Sequence, residues 1–159
     1  MICSTLCYVQ KGGKTLMLHR NKRVGKIHDD KWNGLGGKME PGESPEDCVL
    51  REVREESGLK ISAPKLKGLL TFPSFDGEND WLVFVYAARK FFGKPYRLSR
   101  EGALRWVPTS KLPGLNLWEG DKHFCRTKPV FCIANLMLDL IPFLKATDGF
   151  SSEEINSSV

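Results

Sequence analysis

No stretch of this chain approaches the roughly 20 consecutive apolar residues that a membrane helix requires, so no membrane-spanning helix is expected. The five cysteines, Cys3, Cys7, Cys48, Cys125 and Cys132, are odd in number and include no CxxC pair. The first ten residues also lack the basic and long apolar regions of a secretory signal. A disulfide framework is therefore not expected, and a reducing, cytoplasmic location is. The three histidines, His19, His28 and His123, show no metal-ligand spacing and receive no catalytic role. Internal repeats and domain linkers are absent. Charge of one sign is only mildly in excess: 24 basic against 19 acidic residues, a net +5. That excess suits an anionic small molecule such as a nucleotide; it does not by itself nominate nucleic acid as a partner. No membrane or nucleic-acid partner is expected, and oligomeric state is not legible.

What is present is the composition of one globular domain. The chain has 159 residues, 41% hydrophobic and 27% charged, enough to bury a core without disulfides. Residues 1–145 are read as a single domain, followed by a polar tail over 146–159. Ile2 to Val9 and Thr15 to Arg20 predict two arms of a hairpin joined at Lys11-Gly12-Gly13-Lys14. Asn21 to Lys31 reads as an exposed loop. Further strands are predicted over Leu59–Ser62, Leu66–Phe72, Trp81–Ala88 and Ala103–Val107, with a turn at Asp76–Asp80 and a short helix beginning at Thr109. Pro129 to Leu144 is compatible with a helix or a strand.

One helix is well marked. Ser44 suits the N-cap, Pro45 the first helical position, and Glu46 and Asp47 the positive end of the dipole. Gly58 is placed to end it, so the helix spans Pro45 to Ser57. At 100° per residue, Val49, Leu50 and Val53 share an arc of about 100°, the expected buried stripe. Glu52, Glu55 and Glu56 share another arc, largely opposite. Three carboxylates on one face repel each other. They make either a solvated surface or a site for a hard cation, which takes oxygen ligands and keeps several waters.

The lead-in to this helix favours the second reading. From Gly37 the chain reads GKMEPGESPEDCVLREVREESGL. Gly37, Glu43, Arg51, Glu52, Val53, Glu55, Glu56, Gly58 and Leu59 stand at all nine specified positions of the Nudix signature. The segment thus resembles the loop–helix–loop of Nudix hydrolases, which holds divalent cations against a pyrophosphate. The resemblance implies an α/β/α sandwich with a mixed central sheet and an enzyme cutting a phosphoanhydride. Glu52, Glu55 and Glu56 would be metal ligands with the Gly37 carbonyl, for Mg²⁺ with Mn²⁺ as the alternative. Glu43 would support the loop or act through water, Arg51 would orient the glutamates, and Glu55 or Glu56 would accept a proton.

Two further segments resemble the MutT-type branch that hydrolyses oxidised purine nucleoside triphosphates. Trp32-Asn33-Gly34-Leu35-Gly36-Gly37-Lys38 places Asn33 as a base reader, its amide offering both a donor and an acceptor. Leu117 to Phe124 places Trp118 as a stacking residue and Asp121 as a second base reader. Some members of the branch carry two adjacent aspartates where this chain has Gly120-Asp121, which leaves room for a different hydrogen-bond scheme at the base. Arg20 and Lys38 are candidates for phosphate contacts or plain surface charge. The expected reaction is Mg²⁺-dependent hydrolysis of a purine nucleoside triphosphate, with 8-oxo-dGTP favoured, to the monophosphate and pyrophosphate. The alternatives are another nucleoside di- or triphosphate, a nucleotide sugar, or a non-catalytic nucleotide-sensing or RNA-binding module.

Overall fold

Alternation of inward and outward side chains along paired strands decides where this chain buries its apolar residues. The computed structural model describes residues 1–20 and 30–118. The chain order is β1 (Ile2–Lys11), β2 (Lys14–Arg20), β3 (Trp32–Asn33), α1 (Pro45–Ser57), β4 (Lys60–Ser62), β5 (Lys65–Phe72), β6 (Trp81–Ala88), β7 (Lys90–Phe92), β8 (Gly102–Pro108) and a 3-10 helix, Thr109–Gly114. Six strands form one mixed sheet in the order β3-β2-β1-β6-β5, with β8 on β2; β4 and β7 make a separate pair. The long parallel contact runs from Ile2↔Trp81 to Val9↔Ala88. Strand β2 lies antiparallel to β8 from Lys14↔Pro108 to Arg20↔Gly102.

Both faces of the sheet are covered. Cys7, Val9, Leu16 and Leu18 pack with Val49 and Val53 of α1, whereas Tyr8, Met17, Val83 and Val85 pack with Leu112 and Leu117 on the other face. Each fully buried valine of α1 is worth roughly 1.5–3 kcal/mol. The hairpin, the acidic helix and the longer strands lie where the sequence predicts them. The predicted helix at Thr109 is a 3-10 helix containing Pro113. Strand β7 was not predicted; it is three residues long and ends in the exposed Phe92, too short for a periodic signal. The segment 129–144, the tail, most of the 21–31 loop and residues Asp121, Cys125 and Cys132 lie outside the described residues.

The buried face of α1 corrects one expectation. Leu50 is 38% exposed, while Glu56 is 7% exposed. The arc against the sheet is centred on Val49 and Val53 and takes in Cys48, Glu56 and Ser57. One of the three glutamates therefore sits inside the protein rather than opposite the core.

Candidate active site

Local chemistry builds the helix as its caps promised. The Ser44 hydroxyl accepts from the Asp47 backbone N–H at 3.1 Å and donates to the Asp47 carboxylate at 2.6 Å. Gly58 closes the helix in the left-handed conformation, its N–H donating to the Arg54 carbonyl.

After β3 the chain bridges the first half of β1, at Cys7↔Leu35 and Ser4↔Lys38. This run brings the glycines between β1 and the helix. At Gly36, where φ is 148°, a Cβ would collide with the Thr5 carbonyl. At Gly37 a Cβ would lie 2.5 Å from Glu52 Oε1. Only residues without side chains let β1, this loop and the glutamates approach so closely. The Gly37 carbonyl accepts from the Thr5 N–H at 2.9 Å.

Arg51 is the organiser. Its Nε and one Nη donate to both oxygens of Glu43, at 2.8 and 2.9 Å, and its other Nη donates to Glu52 at 2.7 Å. The Lys38 carbonyl also accepts from it at 3.2 Å. This bidentate fork holds the Glu43 carboxyl down to a pKa of about 2, helped by the Glu40 backbone N–H. Glu56 is the opposite case. Burial pushes its carboxyl up to about 8, although the Gly36 N–H donates to it at 2.8 Å. The negative charges of Glu101 and Glu52 push the same way. Glu52 is also raised, first by burial. Glu55 is 61% exposed and lies 3.6 Å from Arg51.

Two cavities meet at this cluster. One, of about 580 Å³, is lined by Glu52, Glu55 and Glu56 and faced by Ser99, Arg100 and Glu101. The other, of about 360 Å³, is lined by Asn33, Arg20, Lys38 and the rings of Phe72, Phe75, Trp81 and Trp118. Glu52 and Glu101 line both. The rings form a connected wall: Phe75 meets Trp81 at 5.4 Å and Trp118 at 5.2 Å, both edge to face. Asn33, with its amide turned so that each end meets a complement, donates to the Trp32 carbonyl at 2.8 Å and accepts from Arg20 Nε at 3.3 Å.

A cavity with an aromatic wall leads into a cluster of carboxylates on a glycine-braced helix, the arrangement that the signature's loop–helix–loop implies. The family model described as the NUDIX domain matches residues 4–127. The chain belongs to the Nudix family. It is a Nudix hydrolase, an enzyme acting on phosphoanhydrides. An uncharacterised Nudix hydrolase of Bacillus subtilis (strain 168) is 38% identical over 122 residues, 75% of this chain and 73% of that protein. The oxidized purine nucleoside triphosphate hydrolase of Danio rerio is 33% identical over 118 residues, 74% of this chain and 72% of that one. The crystal structure of the MutT protein from Bacillus halodurans has a TM-score of 0.69 at 30% identity, covering 79% of this chain and 80% of that one. The Nudix fold read from the signature is thereby shown.

Nudix hydrolases generally use divalent metal ions. Among the described residues no three His, Cys, Asp or Glu side chains converge as they stand. Arg51 holds one Glu52 oxygen, and the Gly36 amide holds Glu56. The donor set nevertheless fits a hard cation: carboxylate oxygens beside a roomy cavity, the pattern of Mg²⁺ sites that keep water and use few protein ligands.

The structure brings together most of the residues singled out from the sequence. Glu43, Arg51 and Glu52 form one network, and Asn33, Arg20, Lys38 and Trp118 share one cavity. Arg20 is not surface charge: it is half-buried and paired with Glu101. Lys38 places its ammonium 4.8 Å from the centre of the Trp81 ring. The unassigned His19 stacks on Trp32 and bonds Asp30, a structural role. Glu101 was missed. Its only clue is the β2–β8 register, which sets Arg20 against Gly102, and no local pattern announces that.

Proposed function

We propose that this Nudix hydrolase cleaves a purine nucleoside triphosphate, favouring 8-oxo-dGTP, to the monophosphate and pyrophosphate with Mg²⁺. The observation that carries this reading is the pair of cavities joined at Glu52 and Glu101, one aromatic and one acidic. A base between the rings, read by Asn33, leaves its phosphates directed at the glutamates. The name of the Danio rerio relative supports an oxidised purine as the base.

Glu52, Glu55, Glu56 and the Gly37 carbonyl would hold the cation, which when bound would supply positive charge against the phosphate oxygens and acidify water. The chain's own residues do the rest. Arg51 keeps Glu52 aimed at the cleft and Glu43 on the loop. Lys38 and Arg20 stand at the cavity rim for the phosphates, and Glu55 or Glu56 takes the proton from the attacking water. Trp118 and Phe75 flank the base, and Asp121 reads its edge.

The test is a panel of 8-oxo-dGTP, dGTP, the other nucleoside triphosphates, nucleoside diphosphates and nucleotide sugars, with products identified. The expected result is the highest kcat/KM on 8-oxo-dGTP and release of pyrophosphate. Equal turnover of purine and pyrimidine triphosphates, or preference for a nucleotide sugar, would overturn the specificity.

A further inference from the structure

A third cavity, of about 570 Å³, lies at the other end of the sheet. Strand β2 begins there with Lys14 and reaches the active-site cavity with Arg20. Six residue steps along the strand separate the two, roughly 20 Å. Nothing in the hydrolytic reaction uses this second place.

Among the described residues its wall includes Lys11, Lys14, Arg89 and Lys90 and no carboxylate. Lys11 and Lys14 are direct cross-strand partners at the hairpin end, where like charges oppose pairing and opposite charges would favour it. Among the described residues, no ion pair engages Lys11, Lys14 or Lys90. In the active site, Arg20 and Arg51 are bound to glutamates and Lys38 lies over the Trp81 ring. Three lysines thus line one cavity at this end with no ion pair among the described residues.

The cavity also has an aromatic floor. Phe91 is held by stacking on Trp106 at 5.8 Å, with the Lys11 ammonium 5.9 Å from its ring centre. Phe92 is 71% exposed. Lysines lining a cavity that also carries Phe91 and the exposed Phe92 match a ligand that joins phosphate to a flat base, the combination used where proteins hold nucleotides by charge and stacking. Sulfate-like ions would use only half of this wall.

We propose that this cavity is a second binding site, for a nucleoside phosphate, separate from the catalytic cleft. Two sources share that chemistry, a free nucleotide and the 5′ end of a single strand. The test is ¹H–¹⁵N NMR of the full chain, titrated with dGMP and separately with a 5′-phosphorylated oligodeoxynucleotide. Saturable shifts at the amides of Gly12, Gly13 and Lys90, distinct from those of Asn33 and Gly36, are expected. Shifts with dGMP identify the free nucleotide as a sufficient ligand; shifts with the strand alone identify the strand end. The double variant Lys11→Glu/Lys14→Glu should abolish these shifts while hydrolysis stays within about twofold of normal. Shifts confined to the cleft with both probes, or shifts that survive the double variant, would overturn the site. This test is independent of which triphosphate the enzyme hydrolyses.

Discussion

Glu52 and Glu56 face the same cleft from different depths, and the difference is measurable. Replacing either with glutamine keeps shape and removes charge. Each variant should lose more than about 100-fold in kcat, because even outer-shell partners of metal sites are worth about 10–100-fold. Unchanged circular dichroism beside near-normal turnover would remove that residue from the cation site. Glu56 also makes a pH prediction for the cation-free protein. Its folded pKa, about 8, stands above the ordinary carboxylate value. Between those two values the folded state holds a proton that the unfolded state has lost, so stability is highest below the ordinary value and falls as pH rises. Melting temperature in chelator should therefore drop from about pH 5 to about pH 8, and Glu56→Gln should flatten the drop. Cation uptake near neutral pH should release a proton, a quantity that calorimetry in buffers of different ionisation enthalpy reads directly.

At the scale of elements, α1 was legible to the residue because its ends are local events: Ser44 caps one and Gly58 the other. The face it buries was not. Helical angles placed Leu50 in the stripe, but the sheet covers an arc centred on Val49 and Val53, so Glu56 goes in and Leu50 comes out. The same limit hid the aromatic wall. Phe72, Phe75 and Trp81 are unremarkable in sequence and meet only because β5 and β6 pair as far as Phe72↔Trp81. The loop between those strands is tied by Asp76, whose carboxylate accepts from the backbone N–H of Asn79 at 2.7 Å and of Glu78 at 3.1 Å. It also accepts from the Asn79 amide and, at 3.3 Å, from Trp81 Nε1. These bonds hold the Asp76 carboxyl down to about 2, the Asn79 backbone N–H foremost. Asp76→Ala should slacken Phe75 and Trp81 without touching the glutamates. A several-fold rise in KM with little change in kcat is expected; a fall in kcat with unchanged KM would place Asp76 in the phosphate chemistry instead.

For the whole molecule, the chain divides its charge between two ends of one sheet. Carboxylates gather at the α1 end, and lysines gather at the β1–β2 turn. With the proposed phosphate site lined by acids, hydrolysis would depend on a divalent cation, since bare carboxylates repel a triphosphate. Chelation should abolish hydrolysis, and Mg²⁺ should restore it in full. Activity that persists after exhaustive chelation would overturn the cation's place in the site. The acidic end was readable because its residues sit in one continuous segment of 23. The pairing of Arg20 with Glu101, and the basic cavity, needed the strands laid side by side.

Cys48 gives the molecule a durability that has nothing to do with affinity or rate. It sits beneath the signature loop, 3.3 Å from Thr5 Oγ1 and 3.7 Å from the Gly37 carbonyl. Burial pushes its thiol up to about 11. The thiolate is the form that oxidants attack, and at neutral pH this sulfur has almost none of it. The proposed substrate is itself a product of oxidation, so the enzyme has most to do when peroxide is present. On that proposal, a thiol kept protonated and enclosed at the base of the site would let the catalyst outlast the chemistry that makes its substrate. Turnover after exposure to peroxide should match that of Cys48→Ser, and selective loss in the parent chain would show the thiol to be open after all.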